Sequence, residues 1–298
     1  MMKKIFILAC LATGLFMCKT QQDQDVITGV AEVNGTKLYY ETAGIGEAIV
    51  LVHGNEGDRR HWDYQFHILA NDFKVIRYDV RGYGNSALPD TAIAYWDHED
   101  LKALLDYLEV GKAHICGLSM GSGIAVDFAL AYPDMCQSLI PIGPWANGYG
   151  FGEFQTPASD SLFTVMGSVS TIAKEQGPKA ATDYFWTGNM MFSNTVISQK
   201  ALEHLLRIGY EYSFWGFINP NQRMPYQPLA ITQLREIRIP TLIVTAEYDL
   251  EACLEIAEIM QNEIPDSKLV SIENAGHCMN IEKPEEFNVL LVEFINEL

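Results

Sequence analysis

The chain has 298 residues, of which 38 are acidic and 20 are basic, so its formal net charge at pH 7 is -18. This excess of carboxylates disfavours nucleic acid as a partner, because binding to a polyanion depends on clustered Lys and Arg. A hydrophobic fraction of 48% and a charged fraction of 19% supply a large core and exclude a disordered chain.

The first residues have the layout of an export signal. Lys3 and Lys4 precede an uncharged, mostly apolar run at residues 5–17, and polar residues follow at 19–25. The apolar run is too short to span a bilayer as a mature helix, which favours a cleaved signal peptide. We therefore expect a signal peptide at residues 1–18, a polar tether at residues 19–25, and a location in the periplasm or on a membrane of a bacterial cell.

The end of this segment resembles a bacterial lipoprotein processing site, in which a cysteine becomes the acylated first residue. The match is Leu-Phe-Met-Cys at residues 15–18, although such sites have a small residue where Met17 stands. Cys10 follows a better local sequence, but the apolar run before it is very short. A lipid anchor at Cys18 and release as a soluble protein are therefore both open.

Four further cysteines are scattered along the chain: Cys116, Cys136, Cys253 and Cys278. None of their spacings is C-x-x-C, so neither a zinc site nor a thioredoxin-like motif is predicted. Disulfides are allowed in an oxidising compartment, and the sequence leaves the pairing of these cysteines open.

The first predicted elements are two antiparallel strands at residues 30–33 and 37–41, because Asn34 and Gly35 between them favour a type I′ turn. Short β-branched apolar runs then predict buried parallel strands at residues 48–52, 74–78, 113–116, 138–142, 241–244 and 268–272. Helical patterns alternate with them at residues 61–71, 97–108, 120–131, 250–264 and 284–298. We predict an α/β fold, with a doubly wound, mostly parallel sheet that begins with an antiparallel hairpin.

The alternation stops at residues 145–238, between two parts of a predicted α/β core at residues 26–144 and 239–298. Within this stretch, positions 145–226 hold 15 aromatic residues but only 11 charged ones. We predict an inserted, mainly helical cap. Most of its aromatic side chains are expected to form its own core, and a few to line an apolar pocket that faces the site.

The G-x-S-x-G motif at residues 117–121 centres on Ser119 and lies between a predicted strand and a predicted helix. Small residues flank a serine in this context because the chain turns sharply there and leaves the hydroxyl exposed at the edge of the sheet. We therefore predict that Ser119 is a nucleophile.

A serine nucleophile needs a base, and the base needs an orienting acid. His277 and Asp249 each follow a predicted strand, at the edge where open α/β sheets place their sites, and the chain order serine, acid, histidine fits. Glu247 and Glu251 are alternative acids, of which Asp249 is favoured. The histidines expected in surface, core or supporting positions instead are His53, His61, His67, His98, His114 and His204.

The reaction also needs donors for an oxyanion. The backbone N–H of Met120 directly follows the nucleophile, and the backbone N–H of Asn55 lies in the predicted turn at residues 53–57. Glycines in that turn let the backbone approach a substrate closely. A purely structural turn is the alternative.

Together these motifs resemble the α/β-hydrolase superfamily, in its capped branch of esterases, lactonases, carbon-carbon bond hydrolases, epoxide hydrolases and dehalogenases. Residues 79–86 resemble the D-x-R-G-x-G-x-S turn of that branch, and residues 275–285 resemble its histidine loop and the start of its last helix. Ser119 stands where epoxide hydrolases and dehalogenases have Asp, which argues against both. Glu56 and Ala246 replace a Pro and a Gly that are common in relatives, so no narrower subfamily is implied.

The resemblance implies a serine hydrolase that acts on a small or medium apolar carboxylic ester or lactone, through an acyl-enzyme and a triad of Ser119, Asp249 and His277. Neither a metal nor an organic cofactor is expected. Carbon-carbon bond hydrolysis and an amidase or aminopeptidase reaction use the same triad and stay open. A non-catalytic ligand-binding protein on a hydrolase scaffold is the alternative from another class. The natural substrate and the oligomeric state cannot be assigned from the sequence.

Overall fold

The computed structural model describes residues 25–188, 197–219 and 222–298. The predicted signal peptide at residues 1–18, the lipid anchor considered at Cys18, and all but the last residue of the tether lie outside these ranges. Within them, no helix combines the length and the apolar character that crossing a membrane requires.

The strands of the described residues are β1 (Ile27–Val33), β2 (Thr36–Ala43), β3 (Ala48–Val52), β4 (Lys74–Tyr78), β5 (Ala113–Leu118), β6 (Cys136–Ile142), β7 (Thr241–Ala246) and β8 (Ser267–Ile272). They form one sheet in the order β1-β2-β4-β3-β5-β6-β7-β8. β2 pairs antiparallel with β1 and β4, and the other neighbouring pairs are parallel. The predicted fold class is confirmed, and every predicted strand lies within an observed one.

The helices of the described residues are α1 (Asp63–Leu69), α2 (Asp97–Tyr107), α3 (Met120–Ala131), α4 (Pro157–Gln176), α5 (Pro178–Thr187), α6 (Gln199–Glu211), α7 (Trp215–Ile218), α8 (Glu251–Glu263), α9 (Met279–Glu282) and α10 (Pro284–Asn296). The helix predicted from residue 61 instead begins with a 3-10 turn at Arg59–Trp62, because the Asp58 side chain accepts a hydrogen bond from the backbone N–H of Arg60. Helices α4 to α7 follow one another between β6 and β7, where the cap was predicted. The boundaries of the cap as a separate unit stay a prediction.

The central strands are covered on both faces. The connection from β3 to β4 runs along the sheet in the opposite direction to that from β5 to β6, so right-handed crossovers place α1 and α3 on opposite faces. Every residue of β3 and of β5 is buried, as expected of parallel strands between two helical layers. Ser119 directly follows β5, so a strand held from both sides carries the predicted nucleophile at its carboxyl end.

The turn after β4 supports the loop after β3. The Asp79 carboxylate accepts a hydrogen bond from the backbone N–H of Asn85 at 2.8 Å. Gly84 makes this approach possible, because a β-carbon there would lie 2.3 Å from the Asp79 carboxylate. The backbone N–H of Val80 donates to Nε2 of His53 at 3.0 Å. His53 thereby ties the start of the loop at residues 53–57 to the neighbouring strand end.

The segment between β6 and β7 is attached to the rest of the molecule near Tyr95. The Tyr95 N–H donates to the carbonyl oxygen of Gln222 at 3.1 Å, and the Met224 N–H donates to the carbonyl oxygen of Tyr95 at 2.8 Å. Between those two residues, Arg223 forms an ion pair with Asp97 at the start of α2. Backbone and side-chain contacts therefore join these two parts of the chain at one place.

Candidate active site

Ser119 occupies a strained turn between β5 and α3. Its backbone has φ 53° and ψ -113°, a conformation that residues other than glycine rarely adopt. A β-carbon on Gly117 would lie 2.1 Å from the carbonyl oxygen of Gly121, and one on Gly121 would lie 2.3 Å from the carbonyl oxygen of Val52. Both glycines are therefore required for the turn that presents Ser119 at the start of α3.

His277 and Asp249 form a buried pair on two neighbouring loops, after β8 and β7. Nδ1 of His277 lies 2.7 Å from Oδ1 of Asp249. The same carboxylate oxygen accepts a hydrogen bond from the backbone N–H of Leu250 at 2.8 Å. Because an ionised carboxylate can only accept, Nδ1 carries the proton and Nε2 keeps its lone pair.

The two alternative acids point elsewhere. Glu247 is exposed, and its Oε2 accepts a hydrogen bond from the backbone N–H of Asn274 at 2.9 Å. Glu251 is exposed in the first turn of α8. Among the described residues, neither is hydrogen-bonded to His277, so the fold brings Asp249 to this imidazole.

Gly143, directly after β6, provides the space that the imidazole occupies. A β-carbon at this position would lie 2.8 Å from Cε1 and 2.9 Å from Nδ1 of His277. Its φ of 49° is also in the left-handed region that favours glycine. Sequence reasoning missed this residue, although a glycine between a predicted buried strand and Pro144 was a signal for a special backbone position.

Ser119, His277, Asn55 and Met120 all line one cavity of about 490 Å³. Among the described residues, no hydrogen bond joins the Ser119 hydroxyl to His277, but the two side chains face the same space. The apolar wall contributed by the segment between β6 and β7 consists of Trp145, Tyr149, Phe151, Leu162, Phe163, Met166, Phe185, Trp186, Phe217, Met224, Pro225 and Leu229. The cavity thus brings the predicted nucleophile, base and oxyanion residues beside an apolar surface.

The two predicted oxyanion donors differ in how they are held. Met120 is the first residue of α3, so its N–H has no acceptor within the helix. The side chain of Asn55 is anchored, because its Oδ1 accepts hydrogen bonds from the hydroxyl of Tyr83 at 2.7 Å and from the backbone N–H of Glu56 at 3.1 Å. Their role toward an oxyanion stays a prediction.

Glu56, in the same turn, is buried in a way that the sequence does not indicate. Its side chain is 0% exposed, its φ is 57°, and neither carboxyl oxygen has a hydrogen-bond partner among the described residues. Burial raises the pKa of this carboxyl well above its ordinary range. A buried carboxyl whose charged form is disfavoured therefore follows Asn55, where an acidic residue in a glycine-containing turn would ordinarily be expected at the surface.

His61 occupies a buried position, which is one of the positions expected for it, and it also lies in the wall of the cavity. Neither of its ring nitrogens has a hydrogen-bond partner within the described part of the chain. Burial lowers the pKa of His61 to about 3, so the ring is neutral. The ring packs on Gly57, where a β-carbon would lie 2.1 Å from Nε2.

The cavity also has polar residues that sequence reasoning did not select. The Oδ2 atom of Asp127 accepts hydrogen bonds from the Asn147 side chain at 2.7 Å and from the backbone N–H of Tyr226 at 3.2 Å. Burial raises the pKa of Asp127 to about 7. The Arg223 and Asp97 ion pair lines the same cavity. Asp127 could have been found, because it is the one charged residue in the otherwise apolar or small sequence of α3.

Two of the four cysteines line the cavity. Cys253 and Cys278 are both buried free thiols, as are Cys116 and Cys136 elsewhere in the core. The Sγ atom of Cys253 lies 3.9 Å from Nδ1 of His277. A thiol therefore sits beside the histidine and aspartate pair.

The chain matches, over residues 47–284, a family model described as the alpha/beta hydrolase fold. Among curated proteins, it is 28% identical over 276 residues to the 2-hydroxy-6-oxononadienedioate/2-hydroxy-6-oxononatrienedioate hydrolase of Burkholderia vietnamiensis, with 88% of this chain and 92% of that protein covered.

Solved structures of other proteins share the fold. A thermophilic esterase from Thermogutta terrifontis has a TM-score of 0.73 at 24% identity, covering 91% of this chain and 98% of the other. Est816, described as an N-acyl homoserine lactone degrading enzyme, has a TM-score of 0.70 at 25% identity, covering 89% of this chain and 100% of the other.

Proposed function

The chain belongs to the α/β-hydrolase family and is an enzyme of that family, and we propose that it is a serine hydrolase for small or medium apolar carboxylic esters or lactones. One observation carries the proposal. A strained Ser119 and a buried His277 that is hydrogen-bonded to Asp249 line the same largely apolar cavity. This is the constellation that acyl transfer through a serine requires.

In the first half of the proposed reaction, the Ser119 oxygen attacks the ester carbonyl carbon. Nε2 of His277 takes the hydroxyl proton, because Nδ1 is engaged by Asp249 at 2.7 Å. The tetrahedral oxyanion accepts hydrogen bonds from the N–H groups of Met120 and Asn55. His277 then gives its proton to the leaving alkoxide oxygen, and an acyl-enzyme is left on Ser119.

In the second half, water attacks the acyl carbon while Nε2 of His277 takes one of its protons. Collapse of the second tetrahedral intermediate breaks the bond to Ser119, and His277 returns the proton to the serine oxygen. The products are a carboxylic acid and an alcohol, or one hydroxy acid if the substrate is a lactone. Throughout, Asp249 holds the imidazole tautomer and stabilises the imidazolium ion.

Two features of the cavity support the proposed substrate class. A volume of about 490 Å³ lies within the range of small-molecule sites, which are mostly apolar with a few polar groups. Aromatic side chains such as Trp145, Phe163 and Phe185 line it. These features support a substrate with a compact apolar acyl or alcohol part, and the similarity to Est816, a lactone-degrading enzyme, supports including lactones.

A second candidate is hydrolysis of a carbon-carbon bond in a diketone, with the same three residues. It is favoured by the relative from Burkholderia vietnamiensis, whose name describes hydrolysis of an oxo-dienedioate. An amidase or aminopeptidase reaction uses the same triad. A ligand-binding protein without catalysis is the alternative from another class, and it predicts no turnover.

The test is hydrolysis of a chain-length series of p-nitrophenyl esters by the purified protein, beside a Ser119→Ala variant. Ser168→Ala is the matched control, because this serine lies on α4 and donates to the carbonyl oxygen of Thr164 on the same helix. We expect the wild type and Ser168→Ala to turn over and Ser119→Ala to lose turnover while remaining folded. Turnover that persists in Ser119→Ala contradicts the assignment of the nucleophile.

A fluorophosphonate probe separates the alternatives if no ester is cleaved. Labelling of the wild type that is lost in Ser119→Ala identifies an activated serine and moves the assignment to another leaving group. Absence of labelling favours the ligand-binding protein.

A further inference from the structure

Three different metal-binding side chains converge beside the cavity. A carboxylate oxygen of Asp249, Sγ of Cys253 and a ring nitrogen of His277 all lie within 4.8 Å of one another. Nδ1 of His277 lies 2.7 Å from Oδ1 of Asp249 and 3.9 Å from Sγ of Cys253. All three side chains are buried, with exposures of 8%, 2% and 4% in chain order.

Local structure holds the three ligands together independently of any ion. Asp249 lies two residues before α8, and Cys253 lies in its first turn. His277 comes from the loop after β8, the strand paired with β7. The Oδ2 atom of Asp249 has no hydrogen-bond partner among the described residues. The hydrogen bond to His277 therefore leaves one buried carboxylate oxygen available.

The donor set suits a borderline-soft divalent cation. Zinc binds thiolate, imidazole and carboxylate together, with bonds of roughly 2.0 to 2.3 Å, which places tetrahedral ligand atoms roughly 3.4 to 3.6 Å apart. Reaching these separations requires shifts below about 1 Å from the present positions. Cys253 and His277 line the cavity, so an ion can enter from it and keep its fourth position for water.

We propose that Asp249, Cys253 and His277 form an inhibitory binding site for Zn²⁺ or a similar thiophilic divalent cation. The ion bonds to the Cys253 sulfur, whose proton leaves to solvent, and to Nδ1 of His277, from which it displaces the proton. A neutral imidazole that is bound through Nδ1 carries its proton on Nε2. Nε2 then has no lone pair to accept the Ser119 proton, and Asp249 no longer orients the ring.

Binding at this site stands on the three ligands alone, whereas its inhibitory effect rests on the proposed function. The direct probe is Cd²⁺, since a bond between cadmium and a thiolate gives a charge-transfer absorbance in the ultraviolet. The absorbance of that band is measured while the purified protein is titrated with Cd²⁺. Calorimetry with Zn²⁺ gives the affinity and the number of sites.

The key variant is Cys253→Ala, and Cys278→Ala is its matched control. Cys278 is also a buried thiol in the cavity wall and follows His277 in the chain, but it is not one of the three converging ligands. We expect one Cd²⁺-thiolate band in the wild type and in Cys278→Ala, and none in Cys253→Ala. Because loss of even an outer partner of a metal site weakens affinity by about 10- to 100-fold, loss of this ligand should weaken Zn²⁺ binding by at least about 100-fold.

Inhibition is measured as the rate of ester hydrolysis with Zn²⁺ divided by the metal-free rate of the same protein. A chelator should restore the metal-free rate. Inhibition of Cys253→Ala at the same Zn²⁺ concentration as the wild type overturns the proposal, as does a wild-type protein without a Cd²⁺-thiolate band. Circular dichroism establishes that each variant is folded. If the band forms on Cys253 but the metal-free protein cleaves no ester, the metal site stands and the proposed function fails.

Discussion

Nδ1 of His277 donates to Oδ1 of Asp249 over 2.7 Å, and this one hydrogen bond decides which ring nitrogen can act as a base. Among the described residues, the other donor to Oδ1 of Asp249 is the backbone N–H of Leu250, so no second side chain competes for that oxygen. The imidazole is therefore held in a single tautomer before any substrate arrives.

Asp249→Asn keeps the size of the side chain but offers His277 an amide instead of a carboxylate. The wrong tautomer should lower kcat by about 10,000-fold, with little change in the unfolding midpoint. The measurement is ester hydrolysis at saturating substrate. Glu247→Gln is the matched control, because Glu247 lies two residues away and binds the backbone of Asn274. A kcat for Asp249→Asn within tenfold of the wild type would assign the orienting role to another group.

Gly143→Ala should displace the imidazole. A methyl group there would lie 2.8 Å from Cε1 of His277, and a misplacement of about 1 Å can lower activity by about 100-fold. Gly152→Ala is a control for the backbone alone, because Gly152 has φ 60° with no atom within 4 Å of its β-carbon position. Both variants should lose about 1 to 2 kcal/mol of stability. Equal loss of kcat in the two variants would show that backbone strain, and not contact with His277, is responsible.

Phe163→Ala should move the preference of the enzyme toward longer acyl chains. Phe163 lines the cavity and packs against Trp145 and Phe151, so truncation leaves space for further methylene groups. Each methylene that becomes buried contributes about 0.8 kcal/mol, or about a fourfold gain in kcat/KM. The measurement is the p-nitrophenyl ester series. Phe154→Ala, which removes an aromatic ring outside the cavity wall, should leave the preferred chain length unchanged, and the same preference in both variants would contradict this role of Phe163.

Asp127→Asn should make the free energy of unfolding less dependent on pH. Burial raises the pKa of Asp127 to about 7 from an ordinary value of 3.8, so the folded protein holds a proton that the unfolded chain releases. Stability that is present at low pH is therefore lost as the pH rises from about 4 to about 7, by up to about 4 kcal/mol. The amide of the variant has no proton to lose and can still accept from Asn147.

Urea unfolding at about pH 4 and about pH 8 measures this difference. The free energy of unfolding of the variant, relative to the wild type, should increase between the two conditions. A constant difference between the two proteins would mean that Asp127 is ionised in the folded state throughout this range.

Local sequence was sufficient for the strands and for the turn at Ser119. The continuous apolar runs of β3 and β5 predicted strands buried on both faces, and the small residues around Ser119 predicted its turn. The reason Gly121 is required is not local, because the atom that a β-carbon there would meet is the carbonyl oxygen of Val52. Chain order alone could not separate Asp249 from its acidic neighbours. That choice depends on where His277 lies, on a loop 28 residues further along the chain.

The features that sequence reasoning missed depend on distant partners. Arg223 meets Asp97 across 126 residues of chain, and neither residue lies in a motif. The burial of Glu56 could not be inferred, because an acidic residue in a short turn gives the same local pattern whether it is exposed or covered. The apolar pattern of residues 61–71 predicts a helix that begins at His61. In the structure, the side chain of Asp58 starts a 3-10 turn that contains His61, and the ring lies in the cavity wall.

The hydrogen bonds that join Tyr95 to Gln222 and Met224 bear on how the molecule loses its structure. The aromatic segment between β6 and β7 cannot detach at this edge without breaking backbone pairing and the contact between Arg223 and Asp97. Local openings that require many simultaneous breaks approach the cost of global unfolding. Amide hydrogens at Tyr95 and Met224 should therefore exchange with solvent as slowly as those of the central sheet, and a single heat-absorption peak should accompany melting of the whole chain.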